Sequence, residues 1–266
     1  MTDRSRRVAL FLGAALLGGV GGSLRFALAD VTWAAFFDHL FGVSLLAATG
    51  TAMRIALQDF ALAKHRPLRI GMLAANLVGT AALAIALERP HSILAGVAFT
   101  VGFCGGLTTF SGFVAETLAL LHHKHRGRAA LFVLATLGLS FELFHILHAS
   151  SPAPFPWRTM IVNLTGCLAF GVIDKAVDPL SRRSELHRLL LAGLLGGYTT
   201  LSSLVAESLA IDVPLLAAAN VNFQVVAGAI LVVLGRSIGA RFAAAWSRKN
   251  IAPSTVKDAR GEIVRH

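Results

Sequence analysis

Charge is scarce in this chain. Asp, Glu, Lys and Arg make up 14 % of its 266 residues, where soluble domains carry about 25 %. That shortage, with a mean hydropathy of +0.69, excludes an ordinary water-soluble domain. Cysteine is scarce too. Cys104 and Cys167 are the only two; both sit inside apolar runs and read as small buried hydrophobes. There is no phosphate-cradling glycine loop, no HExxH pair and no zinc-type Cys/His spacing. Nothing resembles a catalytic triad, so no enzyme chemistry is expected.

What is abundant is apolar sequence, 55 % of the chain. Apolar runs lie at 8–29, 40–57, 69–88, 92–121, 129–148, 158–174, 188–211 and 213–236. Most approach the ~20 residues that cross a bilayer as helix. Helix is required because lipid offers no partner to backbone N–H and C=O. The expectation is an all-α membrane protein with eight spans, whose environment is the lipid bilayer. Lys and Arg then set the direction. Arg4, Arg6 and Arg7 precede the first run, and loop 30–39 has none. Lys64, Arg66 and Arg69 follow the second run; Arg89 alone follows the third. Lys124, Arg126 and Arg128 follow the fourth, and loop 149–157 has none. Lys175, Arg182, Arg183 and Arg188 follow the sixth, and seven more occupy the tail from Arg236. This alternation puts both termini in the cytoplasm, with a bacterial-type inner (plasma) membrane as the expected home. The net charge of +10 is therefore a topology signal. It does not cluster on one domain, so no nucleic acid partner is expected. Arg6-Arg7 ahead of an apolar run has the outline of a twin-arginine leader. Against that, Arg25 falls inside the would-be leader, and its glycine-arginine pattern returns at residues 50–54.

The chain repeats itself. GFCGGLTTFSGFVAET at 102–117 returns as GLLGGYTTLSSLVAES at 193–208, with nine of sixteen positions identical. These segments lie on spans four and seven, three steps apart, so they cross in opposite directions. Asn76-Leu77-Val78-Gly79 on span three is echoed by Asn163-Leu164-Thr165-Gly166 on span six. Gly21 to Arg25 on span one is echoed by Gly50 to Arg54 on span two. Parity sorts the spans into two inverted-topology four-helix repeats. The first repeat is 40–148. The second is 8–29 with 158–236, its first helix displaced to the front of the chain. Residues 237–266 are expected to be a disordered cytoplasmic tail.

Gly105-Gly106 and Gly196-Gly197 fall in mid-membrane. Free carbonyls survive there only where they line a cavity or hold an ion. A set of oxygens with no carboxylate beside it suits a monovalent cation such as Na⁺. Close packing of small residues is the alternative reading of the glycines. Thr108, Thr109 and Ser111 follow the first break, then Phe110 and Phe113, whose three-residue spacing puts both rings on one helix face. Ring edges carry positive partial charge and can meet a small anion, although such a pair also reads as plain core. Asn76 and Asn163 supply amide donors.

Together GFCGGLTTFSGF, the NLVG and NLTG segments and the glycine-arginine first helices resemble the Fluc (CrcB) fluoride channel family, in a fused two-domain form. The resemblance covers residues 8–236. It implies two antiparallel four-helix units, a central structural Na⁺ and two pores lined by phenylalanine and polar side chains. Carried over by motif, backbone carbonyls of Gly105, Thr108, Gly196 and Thr199 hold the Na⁺. Phe110 and Phe113 form the aromatic fluoride station. Asn76 and Asn163 stand at the pore mouth, with Thr109, Ser111 and Ser202 nearby. Arg25 and Arg54 match the family's first-helix arginine. The implied function is passive, fluoride-selective export by a monomer, since a fused pair needs no second copy.

One departure matters. Leu201 and Leu204 stand where the resemblance calls for phenylalanines. Leucine has no positive ring edge, so the expectation is one competent pore and one degraded pore; if each pore mixes aromatics from both repeats, both are impaired. Two rival functions stay open. A proton-coupled exporter would use the matched Glu116 and Glu207, or Glu142 beside His145. A non-transporting membrane partner subunit would use the degraded repeat as a docking surface. His122-His123-Lys124-His125 reads as a solvated positive loop rather than a metal site.

Overall fold

The computed structural model describes residues 3–28, 33–64, 67–88, 96–149, 151–177, 184–250, 256–257 and 263–264. It is built from helices, eight of them long and apolar enough to cross a membrane. Helix α1 is Asp3–Ala27, α2 Trp33–Ala63 and α3 Leu68–Leu87. The fourth span has two pieces. Its first, α4, runs through π-helical Ala98–Cys104 into Gly105–Leu107, and its second, α5, is Phe110–His122. Helices α6, Arg126–Leu147, and α7, Trp157–Val177, follow unbroken. The seventh span repeats the break. Its first piece, α8, passes from Ser184–Arg188 through π-helical Leu189–Leu195 to Gly196–Tyr198, and its second, α9, is Leu201–Leu209. The last helix, α10, is Pro214–Asn250.

The sequence pattern explains these elements. Val8, Leu12, Leu16, Val20 and Leu24 are exposed at four-residue steps along α1, which is the stripe a bilayer would cover. The opposite face is small. A Cβ on Gly21 would overlap the Leu194 carbonyl of α8, and one on Gly50 would overlap the Phe103 carbonyl of α4. The spacing of 91 that separates the sequence repeats also relates Phe103 to Leu194. Helix α1 thus packs on α8 as α2 packs on α4, and α7 packs on α10 as α3 packs on α6. These are the two inverted repeats. The post-break helices cross between them: α5 lies against α7 and α10, and α9 against α3 and α6.

One boundary differs from the sequence reading. Segment 237–266, expected to be a disordered tail, is helical as far as Asn250, and Val256–Lys257 pair with Ile263–Val264 as two short strands. Ala243, Ala244 and Ala245 have high helix propensity, so falling hydropathy marks where the apolar run ends and not where the helix ends. The remaining residues of that segment lie outside the described residues.

Candidate functional site

Each break is a short stretch of extended backbone. Thr108 has φ −91° and ψ 157°, and Thr109 has φ −147° and ψ 125°. Thr199 and Thr200 copy them at −89°, 150° and −139°, 130°. The second threonine restarts the helix as its cap. Thr109 Oγ1 accepts from the Gly112 amide at 3.2 Å, and Thr200 Oγ1 accepts from the Ser203 amide at 3.3 Å.

The two breaks meet. Thr108 Oγ1 lies 3.2 Å from Thr200 Oγ1 and 3.1 Å from Ser202 Oγ. Thr199 Oγ1 lies 3.3 Å from Thr109 Oγ1 and 3.0 Å from Ser111 Oγ. All six hydroxyl residues are buried. Ser111 and Ser202 thereby stitch one repeat to the other.

The asparagines also act at the breaks. Asn76 Oδ1 accepts from the Thr109 amide at 2.9 Å, and Asn163 Oδ1 accepts from the Thr200 amide at 3.0 Å. In a continuous helix those amides would go to the Gly105 and Gly196 carbonyls. Likewise the Gly112 and Ser203 amides, taken by the caps, would have gone to the Thr108 and Thr199 carbonyls. So the four carbonyls expected to face a cation are the four whose helical donors are taken by side chains. The oxygen donor set fits Na⁺.

The arginines cross the interface. Arg25, from the second repeat, packs its guanidinium on Gly105 of the first and donates to the Val101 carbonyl. Arg54 does the reverse, packing on Gly196 and donating to the Ala192 carbonyl at 2.6 Å. Both are buried. Arg25 also lines a cavity of about 350 Å³ with Arg158, Thr159, Ser203 and Glu207. A methyl on either glycine would overlap a guanidinium head. Gly105→Ala and Gly196→Ala should each cost about 1–3 kcal/mol, seen as a lower melting temperature in detergent. An unchanged melting temperature would refute this packing.

Phe110 and Phe113 are fully buried, with ring centroids 6.2 Å apart. They part company: Phe113 packs on Phe132 of α6 at 5.6 Å, whereas Phe110 lies against Gly228 of α10. Leu201 and Leu204 are equally buried on α9. The aromatics are therefore shared between the two sides of the molecule.

Comparison with known proteins decides the family. A family model described as "CrcB-like protein, Camphor Resistance (CrcB)" matches residues 41–147 and again 143–236. The chain belongs to the CrcB family. Neither match includes α1. Among curated relatives, the "Fluoride-specific ion channel FluC" of Solidesulfovibrio magneticus is 37 % identical over 89 residues, 32 % of this chain and 71 % of that protein. That of Escherichia fergusonii is 41 % identical over 96 residues, 33 % of this chain and 76 % of that one. The "Fluoride-specific ion channel FluC 1" of Natronomonas pharaonis is 35 % identical over 88 residues, 33 % and 73 % of the two chains. No solved structure matches.

This CrcB chain also carries polar residues that its motifs did not point to. Thr80 on α3, Thr136 and Ser140 on α6 and Gln224 on α10 are fully buried; buried too is Asn220 of α10, which the sequence pairs with Asn222 as the second repeat's polar counterpart of Glu142 and His145. The signal available was their four-residue spacing inside apolar helices. The pair singled out instead, Glu142 and His145, is exposed, and Asn222 turns back to the Ala218 carbonyl. Glu116 pairs with Arg69 at 3.7 Å, and Glu207 accepts from Thr159 Oγ1 at 2.8 Å. His122, His123 and His125 are exposed, and among the described residues no cluster of His, Cys, Asp or Glu could hold a metal.

Proposed function

We propose that this CrcB chain is a passive, fluoride-selective anion channel that carries fluoride out of the cytoplasm. The observation that carries the reading is the duplicated break, two antiparallel helix interruptions meeting in a buried hydroxyl cluster, in a chain whose relatives are named for fluoride conduction. A single chain supplies both repeats, so the working unit is a monomer. It sits in the inner membrane with both termini cytoplasmic. The potential, negative inside, drives an anion outward at roughly 2.3 kcal/mol per charge per 100 mV. Na⁺, bound by the carbonyls of Gly105, Thr108, Gly196 and Thr199, would supply a fixed positive charge at the centre. Phe113 and Phe110 face different sides, so each side keeps one ring, and one competent pore beside one degraded pore must rest on more than Leu201 and Leu204.

Liposomes loaded with fluoride, with valinomycin added to balance charge, test the reading. Fast fluoride efflux without a pH gradient, and none for chloride, is the expected result. No efflux from purified protein would favour the partner-subunit reading. The proton-coupled rival draws support from Glu207, whose Oε2 is buried without a partner. It requires flux that follows a pH gradient and disappears in Glu207→Gln. For the cation, replacing N-methylglucamine by Na⁺ should raise the melting temperature, because an ion bound only to the folded state stabilises it. No rise on adding Na⁺ would remove it from the account.

A further inference from the structure

The two sides of the molecule are not equivalent in their polar interiors. On the side of α3 and α6, which pack together and against α9, Asn76 Nδ2, Thr80 Oγ1, Thr136 Oγ1 and Ser140 Oγ are buried and have no hydrogen-bond partner among the described residues. Asn76 and Thr80 are one turn apart on α3, and Thr136 and Ser140 one turn apart on α6, so each pair forms a stripe on a buried face. All four atoms can donate a hydrogen bond. Unsatisfied buried donors are costly, and a row of them is retained most readily where something passes that accepts from them. The α6 stripe leads through Phe144 to His148. There a cavity of about 740 Å³ opens at the ends of α3, α6 and α9, lined by Glu88, His145, His148 and Leu209.

On the side of α7 and α10 the polar groups consume one another. Asn163 Nδ2 donates to the Thr200 carbonyl at 3.1 Å and to Gln224 Oε1 at 3.0 Å. Gln224 Nε2 donates to Asn220 Oδ1 at 2.9 Å, and Asn220 Nδ2 to Ser208 Oγ at 2.9 Å. These amides form a closed ladder across the lane. Beyond the ladder the helices clasp. A Cβ on Gly171 would overlap the Val232 carbonyl, one on Gly235 the Leu168 carbonyl, and one on Gly239 the Val172 carbonyl. Backbones this close leave no lane between them. Beside the clasp Arg236 Nε donates to Asp174 Oδ2 at 2.7 Å.

We infer that fluoride crosses along the α3–α6 lane, beside Phe113, and that the α7–α10 lane is closed by the Asn163–Gln224–Asn220 ladder and the glycine clasp. This rests on the fluoride-channel reading and adds which lane works. It also gives the closure a cause other than Leu201 and Leu204: the amides of α10 fill the lane and need no ion to satisfy them.

Two same-size substitutions test it in the liposome assay. Thr136→Val removes a hydroxyl from the open lane and should abolish most fluoride efflux. Gln224→Leu breaks the ladder without making space and should leave efflux at the wild-type rate. Equal loss in both, or loss in Gln224→Leu alone, overturns the assignment. A second measurement needs no fluoride flux and keeps the ladder intact. In a Cys104→Ala, Cys167→Ala background, Ser140→Cys and Val232→Cys place a thiol in each lane. Silver ion should reach the first at least about tenfold faster, since thiol reactivity follows exposure. Equal rates overturn the proposal whether or not fluoride is transported. A wild-type protein that passes no fluoride but shows the asymmetry would instead sink the fluoride reading and leave one hydrated lane.

Discussion

Phe113→Ile should lower fluoride efflux by about 30-fold. A desolvated cation on an aromatic face gains on the order of 2 kcal/mol; if the positive ring edge gives a bare anion a similar energy, and each 1.36 kcal/mol of barrier is tenfold in rate, the loss is about 30-fold. Isoleucine keeps the apolar volume and removes the positive ring edge. Phe110→Ile is the control within the same helix. Phe110 lies against α10, on the side closed by the amide ladder, so its loss should cost several-fold less. The measurement is initial efflux from liposomes at matched protein density. Equal effects of the two substitutions would mean that both rings meet the same ion. No effect of either would remove the aromatic contacts from the mechanism.

Asn163→Leu should be the most destabilising of the single changes considered. Its side chain holds the Thr200 amide, the Thr200 carbonyl and Gln224. Leucine fills similar space and removes all three hydrogen bonds. At about 1 kcal/mol each the loss is about 3 kcal/mol. For a chain of this size that is a melting-temperature drop of roughly 5–10 °C in detergent. Asn76→Leu is the instructive partner. It strands only the Thr109 amide, and it deletes an amide nitrogen that has no partner among the described residues. Its cost should be about 1 kcal/mol or less, while fluoride efflux falls. If the two asparagines cost the same, the asymmetry of their surroundings has no energetic consequence.

Most of the architecture was legible along the chain. Hydropathy located the eight spans because lipid imposes one length and one secondary structure. The 91-residue spacing located both breaks because local sequence makes them: paired glycines, then a threonine that caps the next turn. Partnerships were harder to read. Asn76 and Asn163 look identical in NLVG and NLTG, yet Gln224 bonds one and nothing bonds the amide nitrogen of the other. Arg25 and Arg54 were legible as a matched pair, but that each sits on the other repeat's glycine depends on how α1 and α2 cross. Glu142 stands out in the sequence and Thr136 and Ser140 do not, because a charge in an apolar helix is conspicuous and a hydroxyl is not; the helix turns the charge outward and the hydroxyls inward.

The helices, their count, the inverted duplication and the interruption of each third helix follow from local composition and from the solvent, and so are written along the chain. The difference between the two lanes emerges only when the helices pack. That depends on which buried donors find an acceptor on a neighbouring helix and how closely two backbones approach, and neither is a property of any one segment of the chain.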